Sequence, residues 1–261
     1  TLEEGDEIQV FLRDNEGSAA AAGVMNPPET NNEQGNINPA EPLSYHDTTF
    51  EAATVLTVAD LSPVSPVDPL NPEVEVDPEN KPEIPEDQGL LSIDFVSQFD
   101  FGSQGISVME KTYYANPQRL LNEDGLVDER ERPNYVQISD RRSDDERSGW
   151  QLAVTQKEQF KGENNQELIG AQLRLKNQQL VTAQGGTSPS LQSSQSDLVP
   201  GVRQVLLNAQ DQAGTGTWVY RFGDEKTAKE SIGLHVPQGF TPEATSYSTT
   251  IIWELSSVPD N

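Results

Sequence analysis

Cysteine is absent from the 261 residues, which excludes a disulfide framework and any thiolate metal site. Histidine occurs twice, at His46 and His235, too few for a His-rich metal cluster, and both read as structural or solvent-facing. Basic side chains are scarce: 17 Lys and Arg stand against 43 Asp and Glu, a formal charge of -26. That balance argues against a sequence-independent grip on nucleic acid or on an anionic membrane surface, since both need clustered cations. Long apolar runs are missing too. The longest, Ala19 to Met25, spans seven residues, far short of a membrane-crossing helix, so no membrane insertion is expected. There is no Gly-x-Ser-x-Gly elbow, no His-Glu-x-x-His and no phosphate loop. The reading is a protein that is not an enzyme, with no cofactor and no metal. The chain opens on Thr1 without a charged-then-apolar leader, as expected of a processed form or a fragment.

What is present is unevenly spread. Residues 1–88 hold 20 acidic and 2 basic side chains, net -18, whereas residues 89–261 hold 23 and 15, net -8. Eleven of the 18 prolines precede residue 89, seven of them between Pro63 and Pro85. Proline fixes φ and removes a donor, so the stretch 62–88 should form neither helix nor central strand. It reads as a Pro/Asp/Glu-rich spacer, either a plain linker or a stalk that sets reach, on the order of 80 Å in polyproline form. In residues 1–61, Ile8, Val10 and Leu12 alternate with polar neighbours, and Ala52 to Val58 is a second strand-like run. About 40 residues rich in Asn, Pro and Gly separate them. The two runs loosely resemble the last hairpin of a bacterial immunoglobulin-like domain; a disordered acidic segment is the alternative.

From Gly89 onward, runs of Val, Ile, Tyr, Phe, Trp and Thr recur between turns. The candidate strands are Leu91–Phe99, Gly105–Ala115, Asn134–Ser139, Gly149–Gln156, Ile169–Asn177, Val202–Asn208, Thr215–Phe222, Ser231–Val236 and Ser246–Ser256. No segment keeps a helical period over three turns; a helical turn is expected only near Phe160 and in Asp224–Glu230. The fold class is all-β, an antiparallel β-sandwich or barrel-like module over residues 89–261. Side chains two apart share a face of a strand. Three inner faces follow: Trp218, Tyr220 and Phe222; Ile232, Leu234 and Val236; and Ile169, Ala171, Leu173 and Leu175.

Two tryptophans occur in the same tripeptide form, Trp150-Gln151-Leu152 in SGWQLAVTQ and Trp253-Glu254-Leu255 in YSTTIIWELSSVPDN. Together with GLLSIDFVSQFDFGSQGIS, TYYANPQRL, RPNYVQISDRR and TWVYRFGDEKTAKESIGLHVP, this pair resembles the WxL family of cell-surface proteins of low-GC Gram-positive bacteria. The resemblance runs from about Gly89 to Asn261. It implies a secreted protein at the cell surface whose C-terminal module holds it non-covalently on the cell wall through peptidoglycan. The alternative is a protein–protein interaction module that assembles with companion surface proteins, with wall retention indirect. Ser256–Asn261 has no LPxTG-like site, apolar stretch or basic tail, which agrees with non-covalent attachment.

The resemblance makes Trp150, Leu152, Trp253 and Leu255 the candidate binding residues. A Trp on an alternating strand is also an ordinary core residue. The expected arrangement is mixed, with the two tripeptides brought together and each ring partly buried. Five of the ten arginines, Arg130, Arg132, Arg141, Arg142 and Arg147, fall within 18 residues, among as many acids: Glu131, Asp140, Asp144, Asp145 and Glu146. They form either a loop of internal ion pairs or a contact surface for wall carboxylates and phosphates. The acidic run Asn122–Glu129 lacks the spacing of a calcium loop and reads as a turn.

Overall fold

The computed structural model describes residues 63–83, 88–210, 212–239 and 241–257, together with the backbone of four short strands within residues 1–61. The chain divides into two units, Thr1–Leu61 and Ser62–Asn261. In the first unit β1 (Glu7–Gln9) pairs with β4 (Val55–Thr57), and β2 (Phe11–Arg13) with β3 (Ala19–Ala21). The two strand-like runs of this region thus pair with each other; His46 lies outside the described residues.

The second unit is all-β, and every described pairing is antiparallel. Three four-stranded sheets make up its body. The first runs in the order β15 (Gln178–Val181), β19 (Gly216–Phe222), β11 (Tyr135–Asp140), β8 (Leu91–Val96). The second runs β16 (Ser190–Leu191), β18 (Arg203–Gln210), β12 (Gly149–Gln156), β22 (Ile251–Ser257). The third runs β17 (Ser196–Asp197), β14 (Gln172–Leu175), β20 (Ile232–Val236), β9 (Lys111–Tyr114). Each sheet ends in open edges, so the arrangement is sandwich-like and not a closed barrel. One apolar cluster joins all three: Val136, Ile138, Tyr220 and Phe222 from the first, Trp150, Leu152, Val154 and Leu207 from the second, and Leu173, Leu175, Ile232 and Leu234 from the third. The alternating runs fold into strands because alternation places these side chains on the buried face.

One expected inner face is shorter than its pattern. Ala171, Leu173 and Leu175 are buried, but Ile169 is 67% exposed. Gly170, at φ +77°, turns the chain between Ile169 and the strand, so the alternation starts only at Ala171. A 3-10 turn forms at Ala228–Glu230 as expected, and another at Asp144–Glu146. Near Phe160 the chain instead enters the short strand β13 (Lys161–Gly162), paired with β21 (Tyr247–Ser248).

The Pro-rich stretch departs furthest from expectation. Residues 63–83 are not an extended spacer but a strap on the outer face of the first sheet. β5 (Val67–Asp68) and β6 (Asn71–Glu75) form a small hairpin, and β7 (Asp77–Pro78) pairs with β10 (Leu120–Leu121). Proline is barred from central strands but not from short edge pairings, where Pro72 and Pro78 lie. The strap's free carbonyls are met by donors from the module. The Gln137 amide donates to Ser65 O (3.0 Å) while its Oε1 accepts the Val67 N–H (2.8 Å). Gln118 donates to Glu79 O (3.0 Å), and Arg221 to Pro69 O (2.7 Å). Val67 packs against Phe95, Tyr135 and Val219. The Arg132 guanidinium Nε lies 2.8 Å from both oxygens of Asp68, with both residues buried.

Covering this face explains why all six residues of β11 are buried, the polar ones included. Its outward Gln137 and Ser139 meet Asp94, which accepts hydrogen bonds from Ser139 (2.6 Å), Ser92 (2.6 Å) and Gln137 (3.1 Å). Burial pushes the Asp94 carboxyl above its ordinary range, and these three donors pull it back only in part.

Removing one member of a buried ion pair leaves the other charge desolvated, at a cost of about 3–5 kcal/mol. Asp68→Ala is therefore expected to lower unfolding stability by about that much in urea titration. A chain starting at residue 89 should melt well below one starting at residue 62. Equal melting of those two chains would show that the strap contributes nothing to the fold.

Candidate functional site

The two tripeptides meet on neighbouring strands. β12 pairs with β22 in a register that sets Leu152 opposite Leu255, Val154 opposite Trp253 and Trp150 opposite Ser257. Cross-strand partners share a face, so all four candidate residues join the same side of the second sheet and the same apolar cluster.

Their burial is unequal, and the sheet order is the cause. β12 is an inner strand, flanked by β18 and β22. Trp150 and Leu152 are fully buried, with Ala209 and Leu207 as their partners on β18. The Trp150 indole N–H donates to Gly214 O (3.3 Å). At Gly214, with φ +75°, a Cβ would lie 2.7 Å from the indole ring, so only glycine lets the turn close over Trp150. β22 is an edge strand, and Trp253 and Leu255 are only partly buried. The Trp253 ring leans on Phe222, with centroids 6.4 Å apart and planes at 43°. The third tryptophan, Trp218, is buried and donates to Thr215 O (3.0 Å).

Trp253 lines a cleft of about 980 Å³ between the second sheet, the third sheet and the 97–106 loop. The walls carry Phe99, Phe101, Tyr113, Phe160 and Tyr247, and the floor is apolar, with Leu168, Leu173, Leu234 and Val236. Phe101 meets Phe160 edge-on at 6.3 Å, and Phe99 meets Phe222 edge-on at 5.9 Å, which fixes the loop aromatics against the core. The Tyr113 hydroxyl donates to Gly105 O (3.0 Å), tying the loop to β9. Residues 242–249 supply the opposite rim with Ser246, Ser248 and Thr249. Apart from Trp253, sequence reasoning singled out none of these positions as a site. The signal was present in the closely spaced aromatics of QFDFGS, just past β8, but nothing local assigns them to the same cleft as a residue 150 positions later.

The arginine-rich window is spent on internal contacts. Arg130 pairs with Asp128 (2.8 Å), Arg132 with Asp68 (2.8 Å) and Arg147 with Asp144 (2.6 Å). Arg142 forms a fork on Asp140, with both contacts at 2.9 Å, and Arg141 donates to Gly89 O (3.1 Å). The Asp140 carboxylate raises the Arg142 pKa further. This is the ion-paired loop of the two readings. In the acidic run, Asn122 Oδ1 accepts the N–H groups of Asp124 (3.0 Å) and Leu126 (2.9 Å), which folds it into a turn. His235 is half-buried, its Nδ1 3.4 Å from the Thr112 hydroxyl.

The family model described as WxL domain surface cell wall-binding matches residues 44–259. The chain belongs to the WxL-domain family. The match begins upstream of Gly89 and takes in the whole Pro-rich strap, in keeping with the contacts that bind it to the sheets. A WxL domain is a cell wall-binding module of surface proteins, which places this chain at the cell surface. No curated protein and no solved structure matches the chain. Among the described residues no helix is long and apolar enough to cross a membrane.

The two tryptophans should therefore respond differently to truncation. Trp150→Ala empties a closed core site and is expected to cost about 3–5 kcal/mol, read from urea unfolding. Trp253→Ala, at a half-buried edge, should cost clearly less. Equal losses would mean that the two rings are equivalent core residues.

Proposed function

We propose that this WxL module retains its protein on the cell wall by non-covalent contact with peptidoglycan, and that the contact is made in the Trp253 cleft. The observation that carries this reading is the division of labour between the tripeptides. Trp150 and Leu152 close the core, while Trp253 presents part of its ring to an aromatic-walled cleft. A mostly apolar, concave site of several hundred Å³ with a few polar groups at its rim is the usual form of a ligand site. Leu255 takes the place of a support, packed beside Leu152 and holding β22 in register.

The role is binding and not catalysis. Among the described residues two acids line the cleft, Asp100 and Glu243, and both accept hydrogen bonds within the fold. Asp100 accepts from Gly102 N (2.9 Å) and Asn116 (3.1 Å), and Glu243 accepts from the Asn164 amide. That leaves no obvious pair poised as acid and base for glycoside cleavage. The arginine window, closed on its own acids, is a weak candidate for wall anions.

Purified sacculi stripped of protein and anionic polymer test the reading. The intact chain should sediment with them. Trp253→Ala should weaken retention by about tenfold or more, the effect of losing one aromatic anchor, with a melting temperature lowered far less than by Trp150→Ala. Arg130→Ala should leave retention as it was. Retention only after a companion surface protein is added back would favour the interaction-module alternative.

A further inference from the structure

The lining of the cleft bears on which part of the wall polymer it takes, given the reading that the cleft is the wall contact. We propose that the cleft takes a neutral, N-acetylated saccharide segment of the glycan strand, and takes neither the peptide stem nor a phosphate-bearing wall polymer. Among the described residues that line it there is no Lys, Arg or His. An anionic ligand would meet no cation among these lining residues, Lys111 standing outside them with its Nζ 4.6 Å from the centre of the Tyr113 ring, and would enter a chain that already carries -26. Free stem-peptide carboxylates and polymer phosphates are disfavoured on that ground, because a desolvated anion needs a paired cation or several donors. Asp100 and Glu243 accept hydrogen bonds within the fold, but only from the neutral donors Gly102 N, Asn116 and Asn164, so both keep their charge and the de-N-acetylated tetramer below is the arm that tests a cationic ligand.

A pyranose ring fits what remains. Its C–H faces are apolar and pack on flat aromatic surface, here Trp253 and Phe101. Its hydroxyls need polar side chains, which Gln98, Ser103 and Ser246 offer at the rim. An acetamido group is itself amphipathic, with a methyl suited to the apolar floor and an N–H and C=O suited to the rim amides. In the intact strand the lactyl carboxylate is tied up as an amide, so the glycan there is neutral. A volume of about 980 Å³ lies at the upper end of the roughly 300–1,000 Å³ of small-ligand sites, enough for more than one sugar ring.

The test is competition. The full chain is bound to sacculi and challenged with a β-1,4-linked tetramer of N-acetylglucosamine, its de-N-acetylated counterpart, a free stem pentapeptide, or poly(glycerol phosphate). The acetylated tetramer alone should displace the protein, with a midpoint that moves by less than about twofold between low and high salt, since no ion pair is made. Trp253→Ala and Phe101→Ala should each weaken tetramer binding by about tenfold, with near-UV circular dichroism showing that both variants fold. Displacement by the pentapeptide or the phosphate polymer, or tetramer binding unaffected by both variants, overturns the proposal. Sacculus retention that the tetramer cannot displace overturns it while leaving wall binding intact. Tetramer binding without sacculus retention supports the ligand class and removes the wall reading instead.

Discussion

The pairing of the last strand with β12 is the interaction on which the rest depends. It sets Leu152 against Leu255 and so makes one structural unit of two tripeptides 103 positions apart in sequence. Until that pairing forms, the second sheet lacks an edge and the apolar cluster is open beside Trp150. The same pairing holds Trp253 against Phe222 and closes one wall of the cleft. A single register thus serves folding on one side and, in the function proposed above, recognition on the other. A one-residue slip would turn Trp253 and Leu255 out to solvent.

That arrangement sets two motifs of the same form, Trp-x-Leu, in different surroundings. Both tripeptides put Trp and Leu on one face of a strand, as their spacing dictates. What differs is the neighbour on the far side. β12 has β18, whose Leu207 and Ala209 complete the burial of Leu152 and Trp150; β22 has no second partner in its sheet. Position in a sheet is a property of the whole topology, so alternation could reveal the shared face but not which ring stays reachable. The expectation that both would be partly buried holds for Trp253 and not for Trp150, which is fully enclosed.

Much of the fold was legible for the same reason. β11, β12, β18, β19 and β20 coincide closely with runs of alternating or β-branched residues, because burial on one face writes that pattern directly. Strands held by other means left little trace. Gln178–Val181, with two glutamines at its start, is recruited by β19 and by the Tyr220 hydroxyl, which donates to Gln178 Oε1 (2.7 Å). The Pro-rich strap was the largest misreading. Proline density and negative charge describe a chain that cannot build a sheet by itself. They do not show that Gln137, Gln118, Arg132 and Arg221, 39 to 152 residues downstream, are placed to donate to its carbonyls and to Asp68. The cleft was illegible in a similar way, since its walls come from loops and strands spread from Phe99 to Trp253.

The central claim is that one tryptophan of the pair meets the wall while the other builds the core. Three tryptophans give three indole N–H signals in an amide–nitrogen correlation spectrum of the labelled protein, assignable by single substitution. Titration with soluble fragments of digested peptidoglycan should shift the Trp253 signal progressively. The signals of Trp150 and Trp218, whose N–H groups are held by Gly214 O and Thr215 O, should stay in place. A stationary Trp253 signal at fragment concentrations that saturate binding would contradict the account.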